Sequence, residues 1–567
     1  MYDLLIRGGT VIDGSGDPAR TADVAIQGEH IVAVGQVSGN AREVIDASGA
    51  LVTPGWVDVH THYDGQATWD PLLAPSSWHG VTTAVMGNCG VGFAPVRPGS
   101  EQFLIELMEG VEDIPGSALA EGIDWRWESF AQYLDALDSG QRVMDIGTQV
   151  PHGAVRAYVM GERCNERNAV PTPDELRAMQ AEIRAGLQAG ALGFSTSRTW
   201  LHTDRQGVHV PGTFAEADEM LALGLAMKGL RHGVYEIVSD HLGTDEEWSW
   251  VREFVRQTGR PVTLVATSAA AYEGNRMYNV AEGARAEGFE VRPQIAGRPT
   301  GLLHGLQSSF HVFQRCPTFR AGLESLPLAA KVARMRDAGT RAQILAEAAD
   351  LGTTMLGTKV ADLLWQIFPL GEHPNYEPDR EDSVAGIAAS TGQDAFAVMY
   401  DLLLRDEGRE LFYQPLGGYQ TYNFDFFRAS MEHPNALFGL SDGGAHCGVI
   451  ADAGMPTFIL THWGRDRTKG ARMPLPFLVR KLARDTALAY GLDDRGLLAP
   501  GKLADVNVID FQRLALKRPE AVFDLPAGGR RLVQRVRGYE AIIKRGQCTF
   551  RGDEATGALP GRLVRGG

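Results

Sequence analysis

Short runs of apolar residues recur along the middle of the chain, and helical stretches follow most of them. Eight of these runs have the length of strands: 55–60, 82–86, 144–150, 191–195, 234–238, 262–266, 290–295 and 436–441. The best helical candidates between them are 173–189, 216–231 and 245–257. Alternating strand and helix signals are typical of a parallel sheet. Eight strands favour a closed α/β barrel of the (β/α)8 type (TIM barrel) over an open sheet.

Both ends of the chain show another pattern, in which short β-forming segments alternate with glycine-containing turns. The first fifty residues predict strands at 4–6, 10–12, 23–26, 30–34 and 43–46, and similar segments return at 504–510, 532–536 and 540–544. Neither end is long enough to bury much core alone. We therefore expect residues 1–53 and 497–550 to combine into one small β-sandwich beside a barrel of residues 54–496. Two independent small units are the alternative.

A long interval separates the seventh candidate strand, 290–295, from the eighth, 436–441. It contains helical segments such as 342–351 and 394–404. The pattern predicts a helical subdomain, at about 298–435, inserted near the barrel mouth before the last barrel strand.

Composition narrows the class of protein. The chain has 567 residues, 44% of them hydrophobic and 22% charged, with a net charge of −16. These fractions are typical of globular proteins, and the acidic balance disfavours nucleic acid as a partner. Five cysteines are too few for a disulfide framework, and neither a signal peptide nor a membrane-spanning apolar run is evident. We expect a cytoplasmic protein that acts on a small molecule, and the oligomeric state stays open.

Candidate chemistry begins at the end of the first candidate strand, with His60 and His62. Residues two apart on a strand share a face. At the carboxyl end of a barrel strand this face points into the mouth, where active sites of this fold lie. Two imidazoles at this spacing can hold one divalent cation, and zinc suits nitrogen ligands. Taken alone, the pattern is more often a pair of hydrogen-bonded or solvated polar residues.

Two further strand ends could contribute to the same site. Cys89 follows the second candidate strand in GNCG (87–90), and its thiolate could join the cation. The commoner fate of a free cysteine is a small buried thiol. Asp442 follows the eighth candidate strand in SDGGAH (441–446), where its carboxylate could bind metal and take a proton from water. A turn stabilised by this side chain is the alternative.

Together and in this order, three motifs resemble the amidohydrolase superfamily: PGWVDVHTH (54–62), GNCG (87–90) and SDGGAH (441–446). More narrowly, they are similar to its N-acyl-D-amino-acid deacylase (D-aminoacylase-like) branch. The opening LLIRGGTVIDGSG (4–16) and the closing RGLLAPGKLAD (495–505) are similar to the ends of this family. The resemblance covers nearly the whole chain, and residues 298–435 match none of its motifs.

The resemblance implies a metal-dependent (β/α)8 barrel that hydrolyses an amide with metal-activated water, using one or two zinc ions. By the same resemblance, His60 and His62 are ligands on the first strand. Cys89 corresponds to the cysteine ligand of the branch, and Asp442 to the catalytic aspartate on the last strand.

The chain departs from the branch on strands five and six. The branch has a histidine ligand at the end of each, where this chain has Val238 and Ala266, and Ser268 replaces a lysine that follows. Glu236 shares a strand face with Val238, so it could supply an oxygen ligand to the metal; an ion pair with a basic neighbour is the alternative. Fewer nitrogen ligands are therefore expected than in the branch.

Two ligand arrangements stay open. Either His60, His62, Cys89 and Asp442 all bind one zinc, or three protein ligands and a water do so while Asp442 acts mainly as the base.

Four more residues are candidates for substrate binding: Arg198, Arg298, His152 and His446. The arginines follow the fourth and seventh candidate strands, where a guanidinium could pair with a substrate carboxylate, although a structural role is the preferred alternative. His152 lies in VPHGAVR (150–156), which is similar to a family block and could be structural, and His446 ends the third motif.

The sequence thus predicts a hydrolase of N-acyl amino acids, with the D configuration suggested by the branch. One alternative is a cyclic amide, lactone or other acyl derivative as substrate. Another is a catalytically degenerate barrel that serves as a binding scaffold.

Overall fold

The computed structural model describes residues 1–242, 244–266, 274–353 and 357–567, without the side chains of residues 274–276. Ser268 lies outside the described residues. The strands, in chain order, are β1 (Tyr2–Val11), β2 (Arg20–Gln27), β3 (His30–Gly35), β4 (Ala41–Asp46), β5 (Leu51–Pro54), β6 (Trp56–Asp58), β7 (Val81–Met86), β8 (Asp145–Pro151), β9 (Gly193–Arg198), β10 (Val234–Ser239), β11 (Val262–Val265), β12 (Val291–Ile295), β13 (Thr300–His304), β14 (Phe368–Pro369), β15 (Phe412–Leu416), β16 (Leu437–Phe438), β17 (Val506–Ile509), β18 (Ala515–Leu525), β19 (Gly529–Arg537), β20 (Tyr539–Lys544), β21 (Gln547–Arg551) and β22 (Glu554–Ala555).

The α-helices, in chain order, are α1 (Glu101–Glu112), α2 (Gly116–Gly122), α3 (Phe130–Asp138), α4 (His152–Met160), α5 (Pro173–Gln188), α6 (Ala217–Gly224), α7 (Asp245–Thr258), α8 (Gly274–Ala286), α9 (Pro317–Gly322), α10 (Leu328–Met335), α11 (Ala338–Ala349), α12 (Val360–Leu363), α13 (Val384–Thr391), α14 (Ala395–Leu403), α15 (Asp425–Glu432), α16 (Met455–Phe458), α17 (Leu475–Arg480) and α18 (Thr486–Ala489). None of the helices in the described part of the chain combines the length and apolar character needed to cross a membrane.

Eight parallel strands form the central sheet, in the order β6 to β12 followed by β16. The first and last strands approach each other through a bridge between Thr61 and Gly443. Beside it, the backbone N–H of His62 donates to the carbonyl oxygen of Gly443 over 2.7 Å. The sheet is therefore a nearly closed barrel, and the predicted fold class is confirmed. Each of the eight predicted strand segments overlaps a strand of this sheet.

Two helices on the outside of the barrel, α5 and α7, begin at threonine caps, Thr172 and Thr244. Thr172 accepts a hydrogen bond from the backbone of Glu175, and Pro173 occupies the first turn of α5. These two helices, α5 and α7, match the predicted 173–189 and 245–257. The predicted helix 216–231 is shorter: α6 ends at Gly224, a 3-10 turn follows over Leu225–Met227, and the chain leaves the helical conformation at Lys228, whose ψ is 126°.

Strands from both chain ends form a nine-stranded mixed sheet, in which β17 of the C-terminal part pairs antiparallel with β5 of the N-terminal part. The predicted strands 4–6 and 10–12 are one strand, β1, whose pairing with β2 shifts register between Ile6 and Gly9. Gly8 has a φ of +71° at this irregularity. The predicted segment 532–536 lies in the separate pair β18–β19.

Between β12 and β16, the chain forms the small antiparallel sheet β13–β15–β14 and the helices α9 to α15. This segment has its own apolar core, which extends from Leu306 to Phe412 and includes Phe313, Met335 and Tyr400.

Candidate metal centre

The loops that follow the barrel strands hold three predicted site residues in an unusual backbone conformation. Cys89, Asp442 and His446 have φ values of +56°, +50° and +49°. Residues other than glycine seldom adopt positive φ, and such conformations are concentrated at functional sites. The turns after β7 and β16 therefore hold residues in backbone conformations that their own side chains disfavour. These turns direct the three side chains into the barrel mouth.

The side chains of His60, His62 and Cys89 converge. One ligand atom of each lies within 4.8 Å of those of the other two, and the Cys89 Sγ is 3.3 Å from His60 Nε2. All three residues are buried. Burial lowers the pKa of His60 to about 4, so its ring is neutral. Two imidazoles and a thiol form a donor set that fits zinc.

Asp442 lies at the edge of this group. Its Oδ1 is 3.6 Å from His60 Nε2, and its side chain is 13% exposed. Burial, with the charges of Asp452 and Asp58, raises the pKa of Asp442 to about 8. Asp58 in turn accepts hydrogen bonds from the backbone of His60 and from the hydroxyl of Ser441. The carboxylate at the end of β16 is thus close enough to act on a molecule held by the three converging side chains.

Glu236 on β10 faces the same space, as its strand parity predicts. Its Oε2 accepts a hydrogen bond from the backbone N–H of Cys89 over 3.0 Å, while its buried Oε1 has no partner among the described residues. Burial raises the pKa of Glu236 to about 8. Among the described salt bridges none includes Glu236, so the observed contact is with the Cys89 loop. Val238 and Ala266, which stand in place of the histidines of the branch, add no ligand atom.

Two residues at the site were missed by the sequence analysis. Glu112, the last residue of α1, has Oε1 at 3.3 Å from His62 Nδ1 and Oε2 at 3.5 Å from His446 Nε2. His202 bonds through Nδ1 to the hydroxyl of Ser197, and burial with the nearby imidazoles lowers its pKa to about 3. Neither follows a barrel strand directly. The sequence contained one signal that could have identified Glu112: it is an acidic residue at the end of a helix whose other buried residues are apolar.

The other predicted substrate-binding residues have partners within the protein. Arg198 pairs with Glu247, and Arg298 pairs with Asp452 over 2.8 Å. His152 contacts Thr196 at 2.9 Å and Glu219 at 3.2 Å. All three are buried, and a substrate carboxylate would have to compete with the acidic groups already paired with the arginines. Their role in substrate binding stays a prediction, whereas His446 lies directly against Glu112 at the metal centre.

The sequence profile of the amidohydrolase family matches residues 43–550. Because this match covers most of the chain, the protein belongs to the amidohydrolase family. Its curated relatives include a D-aminoacylase of Alcaligenes xylosoxydans xylosoxydans, 26% identical over 99% of this chain and 97% of the relative. An N-acyl-D-glutamate deacylase of the same organism is 27% identical over 99% of this chain and 96% of the relative.

Solved structures agree with the observed fold. A crystal structure of D-aminoacylase superposes with a TM-score of 0.64 at 24% identity, and the match covers all of both chains. The N-acyl-D-glutamate deacylase of Bordetella bronchiseptica, solved with zinc and a phosphonate mimic of the tetrahedral intermediate, gives a TM-score of 0.63 at 24% identity over the full length of both chains. At this level of identity the likeness establishes the fold.

Proposed function

We propose that this chain is a zinc-dependent hydrolase that cleaves the amide bond of N-acyl amino acids, with D-configured substrates preferred. The observation that carries the proposal is the convergence of His60, His62 and Cys89 beside Asp442 at the seam where the barrel closes. The activities named for the two full-length curated relatives support the choice of bond and configuration.

In this proposal His60, His62 and Cys89 hold the cation, and Asp442 acts mainly as the proton acceptor. A divalent cation, when bound, lowers the pKa of water and polarises a carbonyl group. Asp442 would accept a proton from the attacking water and return it to the departing amine. Glu236 would position Cys89 through the backbone N–H of the loop.

We also place the protein in the cytoplasm. All five cysteines are free, and four of them are buried. Unpaired cysteines are typical of reducing compartments, and a thiolate ligand such as Cys89 needs to stay reduced to bind zinc.

A substrate panel tests the proposed reaction. The zinc-loaded protein is assayed with matched N-acetyl-D- and N-acetyl-L-amino acids that carry apolar and acidic side chains, and with cyclic amides and lactones. We expect the wild type to release the free D-amino acid and to recover its full activity when zinc is restored after chelation. Turnover by Asp442→Asn should be lower by about 10²- to 10⁴-fold. Faster turnover of the cyclic amides or lactones would show that the protein cleaves a ring bond rather than the amide of an N-acyl amino acid. Bound zinc without turnover of any panel member, or no bound metal at all, would favour a scaffold.

A further inference from the structure

Glu112 occupies a position that a buried carboxylate should avoid. It is 1% exposed, and it is the last residue of α1, whose final turn contains no basic side chain. The carboxyl end of a helix carries partial negative charge, so an ionised acid there is disfavoured. Among the described residues, its salt-bridge partners are the imidazoles of His62 and His446, and no lysine or arginine pairs with it. A carboxylate placed in this way needs another source of positive charge.

The polar atoms around Glu112 are also incompletely paired. Oε2 of Glu112 and Nδ1 of His62 are both buried and have no hydrogen-bond partner among the described residues. Leaving such atoms without partners is costly. Since Oε1 faces His62 and Oε2 faces His446, the two oxygens point to two different imidazoles. This arrangement would allow each oxygen of the carboxylate to bind a different cation, one next to His62 and the other next to His446.

The loop after β16 is built to bring His446 to this place. Gly444, with a φ of +90°, passes so close to His62 that a Cβ atom there would lie 2.8 Å from the His62 carbonyl oxygen. His446 itself has a φ of +49°. Its side chain remains 28% exposed, and its Nε2 faces Glu112. The loop therefore places a partly accessible imidazole at the open side of the metal centre.

We propose that Glu112 is a bridging metal ligand: one oxygen joins the cation held by His60, His62 and Cys89, and the other, with His446, binds a second divalent cation. This inference rests on the proposed metal-dependent function and deepens it. In this inference, Glu112 at the end of α1 and His446 in the loop after β16 take the place of the histidine ligands that the chain lacks at Val238 and Ala266. The second position is the more exposed of the two, so its cation should exchange more readily.

The test measures metal binding rather than turnover. The metal-free protein is titrated with Co²⁺, and the cobalt-thiolate absorption reports the cation at Cys89, while total metal per chain is counted by elemental analysis. The variants are Glu112→Gln and His446→Gln, with Glu106→Gln as the matched control on the exposed side of α1. We expect two cations per chain in the wild type and in the control. Each of the two site variants should bind one cation and keep the cobalt-thiolate absorption.

Two cations in Glu112→Gln with wild-type affinity would overturn the inference. So would a single cation in the wild type that Glu112→Gln binds equally well, and in both cases the metal-dependent function would stand. No cation and no thiolate absorption in the wild type would refute both proposals. The two site variants change different elements of the fold, and circular dichroism checks each of them. If one cannot be purified in folded form, the other and the wild-type stoichiometry decide.

Discussion

Oε1 of Gln294 lies 2.8 Å from Nδ1 of His60 and accepts a hydrogen bond from it. The bond fixes the tautomer of the ring, because a proton on Nδ1 leaves the lone pair on Nε2, the atom that faces Cys89. Gln294 is held in turn by donating from Nε2 to the hydroxyl of Thr263. A residue on β12 thus orients a predicted ligand that follows β6, across the interior of the barrel.

Replacing Gln294 by leucine should weaken metal binding by about 10- to 100-fold, the range for loss of a group that orients a ligand. The measurement is competition for zinc against a chelator of known affinity. The matched control is Gln414→Leu, which removes a similar bond of 2.7 Å to the buried His304 in the inserted segment. Both variants should lose about 1–3 kcal/mol of unfolding free energy by leaving a buried donor unpaired. Equal zinc affinity in the two variants would show that Gln294 does not orient the ligand.

Replacing Asp442 by asparagine should lower kcat by about 10²- to 10⁴-fold, the usual contribution of a general acid–base group. The substitution keeps the shape of the side chain and removes its ability to hold a proton. Zinc content should stay near that of the wild type, because His60, His62 and Cys89 are unchanged. The check is a paired measurement of turnover and bound metal. A variant that lost its zinc along with its activity would identify Asp442 as a ligand rather than mainly a base.

Gly444→Ala should disturb the metal centre as well as the backbone. The new Cβ would lie 2.8 Å from the His62 carbonyl oxygen at a φ of +90°. Gly491→Ala is the control, since Gly491 also has a positive φ, +73°, but a Cβ atom added there would meet no atom within 4 Å. We expect about 1 kcal/mol of backbone strain in the control. Gly444→Ala should show a larger loss of stability together with weaker zinc binding. Unchanged zinc affinity in Gly444→Ala would separate this loop from the centre.

The residues that could be predicted from the sequence are those placed by the barrel itself. His60, Cys89 and Asp442 each follow a parallel strand, and the ends of parallel strands meet at one rim whatever covers them. The alternation of side chains along a strand was sufficient to predict that Glu236 faces the same space. The strand segments, though not their bounds, were predictable because they are buried on both faces, as β7 and β10 are, and are rich in apolar and β-branched residues.

Glu112 and His202 could not be found in this way. Glu112 reaches the site from the end of a helix, and His202 from a long loop after β9. Their positions depend on how these segments pack against the barrel, which no local pattern encodes. The N-terminal strands are a second case in which packing, rather than the local sequence pattern, decides the structure. Gly8 and Gly9 predict a turn, but pairing with β2 keeps β1 continuous through an irregularity.

A buried charge cluster joins the barrel to the sheet formed by the chain ends. Asp145, at the start of β8, accepts from Arg495 over 2.7 Å and lies 2.9 Å from Lys544 and from Arg545. Burial alone would raise the pKa of Asp145, but the charges of Lys544 and Arg495 outweigh it and hold the pKa below its usual range. The carboxylate is therefore ionised in the folded protein and links three segments that are distant in sequence.

Asp145→Asn should lower the free energy of unfolding by about 3–5 kcal/mol, because it leaves buried basic groups without their acidic partner. The folded-state pKa of Asp145 is depressed, so its contribution is fully present above the unfolded aspartate value of ~3.9 and is lost as the pH falls through the folded value. Denaturant unfolding at a series of pH values measures this. The difference between wild type and variant should be constant near neutrality and should narrow in acid.

The exposed pair of Asp135 with Arg565 supplies the control, since Asp135 is 73% exposed. Surface ion pairs contribute about 0–1 kcal/mol, so Asp135→Asn should unfold close to the wild type at every pH. A difference between Asp145→Asn and the wild type that stayed the same in acid would mean that the loss comes from packing. The ionised carboxylate would then not be what holds the barrel to the terminal sheet.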